Sequence, residues 1–80
     1  MKEYKINSDK LYKLTKLHED GRQEVKGIGH ASDVTVGVGV FCANWYTTKV
    51  QDIIKTGKGC IFETLNSTYL MEEIDNISDL

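Results

Sequence analysis

Four side chains in this sequence could act as metal ligands or nucleophiles: His18, His30, Cys42 and Cys60. A zinc site normally takes its ligands from close pairs that hold the metal's tetrahedron. These four occur singly, so their spacing predicts no metal centre. A cysteine nucleophile also needs a base and a third group to orient that base, and no residue is marked for the third role. The carboxylates fall in turns, on wet strand faces or near the end of the chain, and no pair is set apart for acid–base work. The glycine segments Gly27-Ile28-Gly29 and Gly37-Val38-Gly39 have Ser32 and Cys42 where a dinucleotide fingerprint has its third glycine, and no clear helix follows either. Gly57-Lys58-Gly59 lacks the spacing of a phosphate loop. The expectation is a chain without catalytic residues, metal or cofactor.

Five residues stand out instead as candidates for contact with a partner. Trp45 falls on the opposite strand parity to Tyr46, so in a regular strand one of the two rings looks outward, and an outward Trp is a good anchor for an interface or a stacked base. Tyr12, beside the N-terminal lysines, is a second candidate ring. Glu72, Glu73 and Asp75 form, with Asp79, an acidic end that could steer toward a basic partner.

Charge along the chain sharpens this choice. The net charge of −2 is the sum of a basic head, with five lysines against Glu3 and Asp9 in residues 1–17, and residues 61–80, which carry five acids and no base. A general nucleic-acid binder needs a coherent basic face to neutralise phosphates, and this distribution argues against one. The longest mostly apolar stretch, Val34 to Trp45, is broken by Thr35, Gly37, Gly39 and Asn44, far short of the roughly 20 apolar residues of a membrane span. No apolar run follows the first lysines, so no secretory signal is read, and a cytoplasmic protein is expected. In that compartment Cys42 and Cys60 are expected to be free, buried thiols.

The elements that would position these residues are mostly strands. Val34, Val36, Val38 and Val40 alternate with Asp33, Thr35, Gly37 and Gly39, which predicts one strand over 33–43 with its valines inward. Tyr46, Thr48, Val50 and Ile54 share the next parity, which predicts Tyr46 in the core together with Phe62. Lys55-Thr56-Gly57-Lys58-Gly59 reads as a hairpin loop and Asn66-Ser67 as a two-residue turn, on either side of a strand that begins at Cys60. Asp20-Gly21 reads as a hairpin turn between Tyr12–Leu17 and Gln23–Ile28, the favoured reading, although Leu11, Tyr12, Leu14, Thr15 and His18 also share one face of a short N-terminal helix. The glycine pairs Gly27/Gly29 and Gly37/Gly39 suggest sharp coiling or close approach of another backbone.

The expected fold is therefore mainly β: a small antiparallel curved sheet or barrel of five to six strands. It forms a single domain over 1–75, followed by a flexible acidic tail at 76–80. An 80-residue chain has room for one core, and a curved sheet this small leaves monomer and homodimer equally open.

The segment Trp45-Tyr46-Thr47-Thr48-Lys49-Val50-Gln51-Asp52-Ile53, with Phe62-Glu63-Thr64-Leu65-Asn66-Ser67-Thr68-Tyr69, resembles small uncharacterised proteins carried by phages and mobile elements of Gram-positive bacteria. The shared pattern is Thr-Thr/Ser-x-Val, then Thr-x-Asn-Ser-x-Tyr. The resemblance implies an accessory protein that binds and blocks a larger host or competitor protein, for example one of a bacterial defence system. It supplies no catalytic residues. The alternative is a small barrel that stacks single-stranded nucleic acid or a nucleotide on Trp45, Tyr46 or Tyr12.

Overall fold

The computed structural model describes residues 1–74. Asp75 and the expected tail at 76–80 lie outside the described residues. Within them every regular element is a strand: β1 (Glu3–Tyr4), β2 (Leu11–Leu17), β3 (Gln23–Gly29), β4 (Val34–Thr35), β5 (Gly39–Cys42), β6 (Trp45–Lys55), β7 (Gly59–Thr64) and β8 (Thr68–Ile74). Six form one antiparallel curled sheet in the order β3-β2-β8-β7-β6-β5, and β1 pairs with β4 in a small second sheet. No described helix is long and apolar enough to cross a membrane.

Local chemistry accounts for the turns. Gly21 takes a left-handed φ of 91° that other residues rarely adopt, and its N–H donates to the His18 carbonyl at 3.0 Å. The Asp20 carboxylate accepts from the backbone N–H and the Nε of Arg22. This hairpin joins β2 to β3, and the helical alternative for the N-terminal segment is overturned: in β2, Tyr12 and Leu14 point inward at strand spacing. At the β7–β8 turn the backbone N–H and the hydroxyl of Thr64 both donate to the Ser67 carbonyl, at 2.8 and 3.2 Å.

The sheet curls until its two edges meet. After β3 the chain runs along β5, with Ser32 N–H donating to the Phe41 carbonyl and Ala43 N–H donating to the His30 carbonyl, both at 2.9 Å. Absent side chains make the approach possible. A Cβ on Gly27 would stand 2.9 Å from the Cys42 carbonyl oxygen, and one on Gly29 would stand 3.2 Å from the Ala43 Cβ. Inside this curl lie Tyr12, Leu14, Val50, Phe62, Tyr69 and Met71. Cys42 and Cys60 are there too as free thiols, and burial raises both thiol pKa values, that of Cys60 to about 11.

Three expectations about side-chain direction fail here. The strand expected over 33–43 is two strands, because Gly37 takes a φ of 92° and Val38 N–H turns back to the Thr35 carbonyl at 3.1 Å. Val34 and Val40 are core, whereas Val36 and Val38 are exposed. Tyr46, expected in the core, is 73% exposed, and Ile54 is 58% exposed. Both reversals follow from register shifts in β6. Lys49 and Tyr46, three residues apart, pair with Gly39 and Phe41, two apart, while Val50 and Asp52 face the adjacent Thr64 and Glu63. Each extra residue exchanges inside for outside along the strand that follows.

Candidate interaction surface

The β5–β6 hairpin carries the exposed aromatic rings. Cys42 pairs with Trp45 and Phe41 with Tyr46. Cys42 points into the core, so Phe41 and Tyr46 lie on the outer face, where their ring centroids are 4.9 Å apart at a tilt of 48°. Lys49, opposite Gly39, shares that face. A hydroxyl fixes the kink between them: Thr47 Oγ1 accepts the Val40 N–H at 2.9 Å and donates to the Thr48 carbonyl at 2.7 Å.

Trp45 is partly covered. The Lys26 ammonium lies 4.7 Å from its ring centroid, a cation–π contact across the seam between the hairpin and β3. Lys26 is the extra residue where the β2–β3 register shifts, between Val25 and Gly27, which turns its side chain toward that seam. Its ammonium also donates to Glu24 at 2.8 Å, and the half-buried His18 bonds the same carboxylate at 3.0 Å. Lys26, and then His18, hold the Glu24 carboxyl down at about 2. The charge of Lys26 is thus matched within the molecule.

The hairpin has a second property: one edge of it is bare among the described residues. The ladder of β6 with β7 begins at Val50, so Trp45 to Lys49 pair with β5 alone. Val50 turns both backbone groups toward the loop before β5, accepting the Gly37 N–H at 2.8 Å and donating to the Val38 carbonyl at 3.0 Å. Alternation then turns the amide and carbonyl of Lys49 the other way, past the point where β7 has ended. There the Lys49 carbonyl accepts from the Gln51 side-chain amide at 3.5 Å.

The other candidate residues are dispersed. Tyr12 is 1% exposed, and its hydroxyl accepts the Asn7 N–H at 2.7 Å, so its ring supports the core and offers no stacking platform. Glu72 and Glu73 are half-buried on β8 and face opposite sides of the sheet, Glu72 across from Lys13 and Glu73 across from Tyr12. Both acids line a cavity of about 220 Å³ with Lys13 and Lys58. Lys13 and Lys58 therefore stand beside the two described acids of the expected acidic end, and its other members, Asp75 and Asp79, lie outside the described residues.

Two features had no signal in the sequence. The bare edge of β6 depends on where β7 ends. A larger groove, about 580 Å³, lies between the β2–β3 and β7–β8 turns, lined by Lys16, His18 and Arg22 together with Asp20, Glu63 and Asn66. Its mixture of charges favours no single ligand, and Arg22 is held by Asp20 at 2.7 Å. Comparison of the chain with protein-family models, with curated proteins and with solved structures found no match.

Proposed function

We propose that this protein acts by binding another protein, without catalysis, and that the β5–β6 hairpin is its contact surface. The observation that carries this reading is the coincidence of aromatic anchors with a strand segment that has no partner strand on one side among the described residues. Tyr46, Phe41 and Trp45 stand beside the bare edge of β6. Aromatic side chains dominate the energy of protein interfaces, and an extended segment of a partner can add to an open strand edge through main-chain hydrogen bonds. The resemblance to accessory proteins of phages and mobile elements makes a larger host protein the class of partner, met in the cytoplasm, with inhibition as the outcome.

Capture from a bacterial lysate, with bound proteins identified by mass spectrometry, tests this. A partner retained by the wild type and lost with Tyr46→Ala and with Trp45→Ala supports the reading, provided circular dichroism shows both variants folded. Identical captures for all three would sink it.

A second reading rests on the same rings. Phe41 and Tyr46 with Lys49 could stack and neutralise a single strand of nucleic acid. Titration with oligonucleotides at two salt concentrations separates the two. Tight binding that weakens steeply with salt supports nucleic acid, and its absence leaves the protein partner.

A further inference from the structure

The cover on Trp45 is the last link of a chain of contacts that begins in the larger groove. His18, which lines that groove, bonds one oxygen of the Glu24 carboxylate at 3.0 Å, and the Lys26 ammonium bonds the other at 2.8 Å while lying 4.7 Å from the Trp45 centroid. The chain runs from the β2–β3 turn, through β3, to the start of β6. The His18 and Lys26 side chains are only 21% and 17% exposed, which limits where either can go. An ionised carboxylate only accepts hydrogen bonds, so His18 Nε2 donates to Glu24 whether the ring is neutral or charged. A proton on the ring turns that bond into an ion pair. Glu24 then faces two cations with one charge, and its hold on Lys26 weakens. Other charges stand close by: Lys16 lies opposite Glu24 in the β2–β3 ladder, and Glu19, Asp20, Arg22 and Glu63 share the groove with His18. Among side chains of these types, only histidine ordinarily changes charge between about pH 5 and 8.

We propose that His18, Glu24 and Lys26 form a pH-sensitive latch over Trp45. It is closed while His18 is neutral, with Lys26 seated on the ring, and it opens when His18 gains a proton and draws Glu24 away from Lys26. The latch would regulate the surface assigned above to partner binding, and that use rests on that reading. The latch itself does not, since it is a property of the free chain.

Fluorescence of the free protein tests this, because Trp45 is the single tryptophan. Quenching by acrylamide, a neutral probe, should rise by about twofold as pH falls from about 8 to about 5, the scale of an exposed cation–π contact, with the far-ultraviolet dichroism unchanged. The midpoint should coincide with that of the His18 ring protons in NMR, a comparison that needs no substitution. His18→Gln should abolish the rise, and Lys26→Met should remove the pH dependence. Glu24→Gln should keep quenching at its low-pH level throughout. His30→Gln, which changes the other histidine of the chain, should leave the rise intact. Quenching that stays flat with pH in the wild type would overturn the latch, as would a rise that survives His18→Gln or Lys26→Met, or a midpoint away from that of His18. A working latch with no protein captured from the lysate would count against the assigned surface alone, and flat quenching beside a captured partner against the latch alone.

Discussion

Two aromatic pairs in this protein have similar ring separations and opposite surroundings. Phe62 and Tyr69 stack with centroids 5.4 Å apart on the inner face of β7 and β8, while Phe41 and Tyr46 tilt against each other at 4.9 Å on the outer face of β5 and β6. Both are cross-strand neighbours in antiparallel ladders. The first pair sits where the register runs unbroken from Gly59 to Thr68. The second lies beside an extra residue that turns the ring of Tyr46 to solvent. Ring contact alone therefore says little about stability; the area removed from water decides it. The buried pair belongs to folding, whereas the outer pair leaves the Tyr46 ring open to solvent.

Substitution should separate the two pairs widely. Phe62→Ala, at a position with no exposure, should cost about 4 kcal/mol in urea denaturation, enough to unfold much of a domain this small. Tyr46→Ala should change stability by no more than about 0.5 kcal/mol. Comparable losses at both sites would break the comparison.

The regular half can be broken without touching a ring. A Cβ at Gly59 would collide with the Met71 carbonyl oxygen, so Gly59→Ala should cost about 3 kcal/mol by forcing β7 away from β8. Gly57→Ala, in the turn and with open space around it, is the matched control and should be nearly neutral. Thermal melts of the two variants check this.

Within the irregular half, the valines sharpen the contrast. Val40→Ala, in the core, should cost about 2 kcal/mol, whereas Val38→Ala, 55% exposed beside the turn at Gly37, should cost less than about 0.5 kcal/mol. Equal losses would mean that 33–43 is one continuous strand after all.

The smallest effect at neutral pH concerns Cys60. Burial raises its thiol pKa from 9.0 to about 11, so the folded protein holds this proton more tightly than the unfolded chain. Its contribution is fully present below about pH 9 and is lost as pH rises toward 11. The urea midpoint should be insensitive to this group at pH 7 to 8 and fall between pH 9 and 11. Cys60→Ala should flatten that fall while lowering stability at every pH through the space it leaves. An unchanged slope in the variant would exclude Cys60 as its source.

What could be read from the sequence divides along physical lines. The Asp20-Gly21 and Asn66-Ser67 turns were legible because asparagine, aspartate and glycine act on the backbone within a few residues of themselves. The close approach at Gly27 and Gly29 was legible as missing side chains, although which backbone approached was not. Trp45 was found as a candidate because its parity opposed that of Tyr46, but the ring left open to solvent is chiefly Tyr46. The bare edge of β6 left no trace in its own residues, because it exists only where β7 stops short.

By itself the sequence determined that this chain is made of short strands joined by tight turns, since β-branched alternation and turn chemistry depend on local sterics. Only the tertiary structure decided which side of each strand is wet. That depends on how many residues of one strand oppose the next, and a single extra residue at Lys26, near Thr47 or at Gln51 exchanges inside for outside. Such residues are set by the partner strand and the curl of the sheet, so inspecting β6 alone could not have found its exposed ring or its open edge.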